Sequence, residues 1–129
     1  MNIKIDHTAL YVRDLDGARD FFIRYFNAEP SEQYHNPKTD FKSYFLSFGN
    51  SARLEIMTRP GLDVQNEAQM RTGYIHLSFS VGGRDNVDEL TSILKDGGYE
   101  VVSGPRVTGD GYYESQIIGV EGNVIEITE

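Results

Sequence analysis

The sequence contains no cysteine. That absence excludes a disulfide framework, a thiolate-ligated zinc site, an iron–sulfur cluster and a thiol nucleophile, and it fits a reducing compartment. No run approaches the roughly 18 apolar residues of a membrane-spanning helix, so no membrane partner is expected. Positive charge is scarce: 12 Lys+Arg stand against 20 Asp+Glu, a formal net charge of −8. Without a basic stripe to meet a phosphate backbone, nucleic-acid binding is not expected either. The opening residues MNIKIDHTALYVRD lack the basic segment and apolar run of a signal peptide, so the expected location is the cytoplasm.

What remains is an ordinary globular composition, 39% hydrophobic and 25% charged. The 129 residues suit one domain. A chain of that size buries roughly two-thirds of its unfolded surface and needs no covalent staple.

An internal repeat organises the chain. Alternating, strand-like runs at Ile3–Val12 and Tyr74–Val81 each contain a histidine, His7 and His76. Each run is followed by a helical pattern, first Leu15, Ala18, Phe21, Phe22, Tyr25 and Phe26, then Val87, Leu90, Ile93 and Leu94. Asp14 and Asp85 are the expected N-caps, and Gly97-Gly98 the stop of the second helix. Three further strands are expected after each helix: Pro30–His35, Phe41–Phe48 and Ala52–Thr58, then Glu100–Val107, Tyr112–Val120 and Asn123–Thr128. Turn residues separate them. The fold class is therefore α+β, with two βαβββ modules over about 1–58 and 74–129. A polar linker over 59–73, with room for a helical turn, joins them.

Side chains alternate along a strand. His7 shares a face with Ala9 and Tyr11, and Glu55 with Arg53 and Met57. His76 shares one with Ser78 and Ser80, and Glu126 with Val124 and Thr128. The alternate Leu, Ile, Phe and Val residues supply the faces that the helices need, which leaves these four ionisable residues on the opposite faces. A Glu follows its His 48 and 50 residues later in the two halves. Imidazole nitrogen and carboxylate oxygen suit borderline divalent ions such as Ni²⁺, Zn²⁺, Co²⁺, Mn²⁺ and Fe²⁺. Four such ligands leave coordination positions open for a substrate oxygen. A single polar residue on a wet sheet face needs no function; four at matching places of a repeat are harder to dismiss, and the pattern alone leaves solvated residues and a metal site equally open.

The stretches IDHTALYVRDLDGARDFFIRYF, HLSFSV and GNVIEIT resemble the vicinal-oxygen-chelate superfamily. That superfamily includes glyoxalase I, bleomycin-resistance proteins, methylmalonyl-CoA epimerase, fosfomycin-resistance proteins and extradiol dioxygenases. The resemblance covers nearly the whole chain. It implies two modules pairing into a curved, barrel-like mixed sheet with helices outside and one divalent metal ion in the groove. His7, Glu55, His76 and Glu126 fall at the ligand positions of glyoxalase I, the member closest in metal-ligand pattern. Bleomycin-binding members lack these ligands. Bacterial glyoxalase I carries Arg and Asn where this chain has Tyr11 and Arg59, which argues against glutathione as co-substrate.

The implied activity is that of a glyoxalase-like lyase or isomerase acting on a small substrate with vicinal oxygens through an enediolate-type intermediate. The metal would serve as Lewis acid and a carboxylate as proton shuttle. Glu126 is the first choice for the shuttle and Glu55 a ligand or second shuttle, although spacing does not order the two. The alternatives are a metal-dependent dioxygenase or resistance enzyme, and a binding protein for a small molecule or drug. Substrate-facing candidates are Tyr11 and Met57, which equally read as sheet packing, Arg59 for an anionic group, and Tyr112 as a cover after Gly109-Asp110-Gly111. His35 reads as a surface loop residue. A homodimer is expected from the resemblance and from the frequency of twofold dimers.

Overall fold

Apolar spacing and capping decide where the elements begin and end. In the computed structural model, which describes residues 1–63 and 72–129, the chain forms two compact units, Met1–Val64 and Gln65–Glu129. The first holds β1 (His7–Tyr11), α1 (Leu15–Phe26), β2 (Glu29–Pro30), β3 (Tyr34–Asn36), β4 (Phe41–Ser47) and β5 (Arg53–Thr58). The second holds β6 (His76–Ser80), α2 (Arg84–Asp96), β7 (Val101–Val107), β8 (Tyr113–Ile118), a 3₁₀ turn (Val120–Gly122) and β9 (Val124–Thr128). The expected α+β class is observed, with one mixed sheet in each unit. Most of the expected linker, and the helical turn it had room for, lies outside the described residues.

In the first unit the strand order is β1-β5-β4-β2, with β3 also paired to β4. In the second it is β6-β9-β8-β7. The His-bearing strand lies parallel to the Glu-bearing strand in both, β1 to β5 and β6 to β9. The remaining pairings are antiparallel. Helix α1 packs on β4 and β5 and buries Leu15, Ala18, Phe21 and Phe22 with Leu46, Leu54 and Ile56. Helix α2 packs on β7, β8 and β9 and buries Val87 and Leu94 with Ile117, Ile125 and Ile127. Full burial of one such side chain is worth about 1.5–3 kcal/mol, so these stripes hold each helix on its sheet. The opposite sheet faces carry the histidines and glutamates.

Several expectations change in detail. Strand β1 begins at His7, where β5 begins opposite it at Arg53; Ile3 and Ile5 precede the ladder and are exposed. The single strand expected over Pro30–His35 is two short ones. Ser31 interrupts it: its N–H donates to the Phe45 carbonyl at 2.8 Å, while its hydroxyl accepts from the Phe45 N–H at 2.9 Å, in place of a backbone carbonyl. Asp14 caps α1 as expected, accepting from the Gly17 N–H at 2.9 Å. Asp85 does not cap α2: the N-cap is Gly83, and Asp85 lies in the first turn, where its charge still opposes the helix dipole. Ile93 is exposed, and the buried face takes Thr91 instead. The Thr91 hydroxyl is satisfied by the Val87 carbonyl and the Ser115 hydroxyl of β8, both at 2.6 Å.

Candidate metal centre

Each unit presents one His–Glu pair, placed by the same register. In the first, β1 and β5 align His7 with Arg53 and Ala9 with Glu55, so His7 and Glu55 are diagonal neighbours on one face. In the second, β6 and β9 align His76 with Val124 and Ser78 with Glu126, which gives the same diagonal. His7 Nε2 lies 3.8 Å from Glu55 Oε1, and His76 Nε2 lies 3.5 Å from Glu126 Oε2. The carboxylates are the more enclosed partners, 18% and 13% exposed against 38% and 31% for the imidazoles. Among the described residues no three His, Asp or Glu side chains stand together as a metal-binding group; the donors come in pairs.

The pairs fit a divalent ion in donor type and in span. Bonds of about 2.0–2.2 Å to one ion set two adjacent donors roughly 3–4 Å apart. Both pairs fall in that range and are too long for direct hydrogen bonds.

The surroundings of the two pairs differ. His7 Nδ1 lies 2.7 Å from Asp6 Oδ2. An ionised carboxylate only accepts, so Nδ1 carries the proton and the Nε2 lone pair faces Glu55. Asp6 also accepts from Arg53 Nη2 at 3.0 Å. These contacts, the His7 hydrogen bond first, hold the Asp6 carboxyl below its ordinary range. The Arg53 guanidinium lies over the Phe45 ring at 4.3 Å, and that ring meets His7 edge-on at 5.3 Å. Phe45 is directly opposite Glu55 across β4 and β5.

In the second unit the carboxylate is the fixed member. The Ser78 hydroxyl donates to Glu126 Oε1 at 2.8 Å, and Gln116 Nε2 donates to Oε2 at 3.4 Å. Glu114, two residues before Gln116 on the same face of β8, sits beside them. Partial burial first, then a hydrogen bond with Glu126 and the charge of Glu126, raise its carboxyl above the ordinary range. Thr128, on the Glu126 face, has a buried hydroxyl oxygen with no hydrogen-bond partner among the described residues.

The substrate-facing candidates are placed unevenly. Tyr11 and Met57 are directly opposite each other at the end of the β1–β5 ladder, on the face of His7 and Glu55. Arg59 is exposed just past β5. Tyr112 is exposed in the loop before β8, whereas the Tyr113 hydroxyl donates to Asp88 of α2. His35, expected in a loop, lies in β3 with Nε2 2.9 Å from Asp40. Sequence reasoning missed Asp6, Phe45, Gln116 and Glu114. Asp6 is signalled by its place directly before His7; the others are signalled by register, since once the Glu121-Gly122-Asn123 turn is counted Gln116 falls opposite Glu126.

The chain matches the Glyoxalase/Bleomycin resistance protein/Dioxygenase superfamily over residues 4–127. It belongs to that superfamily. Solved structures share the fold. A glyoxalase family protein from Bacillus cereus is 19% identical with a TM-score of 0.83, covering 100% of this chain and 95% of its own. The trypanothione-dependent glyoxalase I of Leishmania major is 19% identical with a TM-score of 0.79, covering 99% and 87%. The fosfomycin resistance protein FosX of Listeria monocytogenes, in complex with Mn(II) and 1S,2S-dihydroxypropylphosphonic acid, is 24% identical with a TM-score of 0.76, covering 99% and 93%. At such identities the likeness is one of fold. No curated protein matches the chain.

Proposed function

We propose that the protein is a metal-dependent lyase or isomerase of glyoxalase type, acting on a small substrate with two neighbouring oxygens and not depending on glutathione. Its ligands to one divalent ion are His7, Glu55, His76 and Glu126, drawn from one chain or from two copies in a homodimer. The observation that carries this reading is the repeated diagonal: a His and a Glu on parallel neighbours in the same register of both units, 3.8 and 3.5 Å apart. When bound, the ion supplies Lewis acidity toward two substrate oxygens.

The chain's own groups do the rest. A carboxylate of the pairs, Glu126 or Glu55, takes a proton from the carbon beside the carbonyl and returns it to the neighbouring carbon, an effect of about 10²–10⁴-fold in rate. Asp6 keeps His7 in the tautomer that offers Nε2. Tyr11 and Met57 form one wall for the substrate, Tyr112 a cover, and Arg59 a cation for an anionic group. Cytoplasmic location belongs to the same proposal.

Metal content by elemental analysis tests it, on protein purified without a nickel column. The expected result is about one divalent ion per chain or per assembled site, absent from Glu55→Ala/Glu126→Ala. Turnover of methylglyoxal, with and without glutathione, follows. No metal on isolation and none on titration with Ni²⁺, Zn²⁺, Mn²⁺ or Fe²⁺ refutes the enzyme reading. Tight binding of a small molecule without product marks the binding-protein alternative, and oxygen uptake with Fe²⁺ marks the dioxygenase.

A further inference from the structure

Because the two pairs are built in the same register, every neighbour of Glu126 has a positional counterpart beside Glu55. Ser78, directly opposite Glu126 on the parallel strand, corresponds to Ala9 opposite Glu55. Gln116, opposite Glu126 on the antiparallel strand, corresponds to Phe45 opposite Glu55. Both donors of the second unit are thus replaced by side chains with nothing to donate. Among the described residues the Glu55 carboxylate accepts no hydrogen bond, and His7 at 3.8 Å is its one ionic neighbour.

Resting on the metal reading above, we propose that Ser78 and Gln116 are positioning residues for Glu126, making it the fixed oxygen donor, while Glu55 is the carboxylate free to turn and carry a proton. This orders the two glutamates opposite to the first choice from sequence. A hydroxyl on one carboxylate oxygen and an amide on the other oppose rotation about the last side-chain bond of Glu126. A ligand held in this way is ordered before the ion arrives, and loss of its supporting partner typically weakens metal affinity about 10–100-fold. A proton carrier needs the reverse, an oxygen able to leave the ion and reach carbon. Phe45 and Ala9 leave Glu55 that freedom.

The test is titration with Co²⁺ alone, followed by its visible absorption. The proteins are wild type, Ser78→Ala, Ser78→Ala/Gln116→Ala, Ser78→Thr, Glu55→Gln and Glu126→Gln, with melting curves to confirm folding. Expected are a loss of about tenfold or more in affinity for the double variant, rescue by Thr at 78, whose hydroxyl is retained, and a larger loss for Glu126→Gln than for Glu55→Gln. The Co²⁺ spectrum should change in Ser78→Ala, a signature that loss of stability alone does not produce. Wild-type affinity in the double variant, or a loss in Glu55→Gln equal to or above that in Glu126→Gln, overturns the assignment while leaving the metal reading intact. Failure of the wild type to bind Co²⁺ overturns the metal reading, and this inference with it.

Discussion

Replacing Asp6 isolates the contribution of an outer hydrogen bond to the His7 side of the centre. Asp6 Oδ2 accepts from His7 Nδ1 at 2.7 Å and from Arg53 at 3.0 Å. Removing the carboxylate in Asp6→Ala frees the imidazole to rotate or to place its proton on Nε2, which then cannot bind metal. Such partners are worth about 10–100-fold in affinity. Asp6 is exposed, 73% for its side chain, so solvent screens it and the low end applies, about tenfold. Asp6→Asn keeps an accepting oxygen without the charge, and its loss should be smaller, about threefold. The assay is Co²⁺ titration at neutral pH, with His7→Ala as the limit. Stability should barely change, because an exposed carboxylate with surface partners contributes little to it. Asp6→Ala binding Co²⁺ as tightly as wild type, while His7→Ala abolishes binding, refutes the reasoning.

Thr91→Val leaves the buried Ser115 hydroxyl without its partner and should cost about 1–3 kcal/mol in chemical denaturation. Thr91→Val/Ser115→Ala should cost less than the sum of the single changes, because the bond joins these two residues. Burial and the neighbouring Glu126 raise the Glu114 carboxyl above its ordinary 4.5, so folding favours its neutral form relative to the unfolded chain. The stability tied to it is fully present below 4.5 and is lost as pH rises through the raised value. Glu114→Gln should therefore melt about 1–3 °C higher than wild type near pH 7 and equally near pH 4; a variant less stable at pH 7 contradicts the assignment.

The repeat, both helices and the faces bearing His7, Glu55, His76 and Glu126 were legible because each rests on a short period. Leu54 and Ile56 are buried and Glu55 between them is not, as alternation requires. Three features were not legible, for different reasons. The break at Ser31 depends on one hydroxyl replacing a carbonyl in the ladder to Phe45, a local substitution that leaves the apolar pattern unchanged. Thr91 in place of Ile93 on the buried face depends on Ser115, a partner 24 residues away. The neighbours of the carboxylates depend on register, and register follows from turn lengths that hydrophobic periodicity does not contain.

The same register explains why the two halves support opposite members of their pairs. Asp6 fixes His7 in the first unit, and its counterpart before His76 is Ile75, which cannot accept a hydrogen bond. Ser78 and Gln116 fix Glu126 in the second, and their counterparts are Ala9 and Phe45. Ordering a Glu side chain on binding costs up to about 1.5–2 kcal/mol, so a pair with one member already held binds an ion at a lower entropic cost than a pair with both loose. Fixing both glutamates would hold the ion more firmly but leave no carboxylate able to move to a substrate. On the proposed metal reading, the repeat supplies two equivalent sets of donors, and the residues behind them make one glutamate a support and the other a moving part. On this argument a change at Ser78 and a change at Ala9 are not symmetrical, even though the two residues occupy the same place in their units.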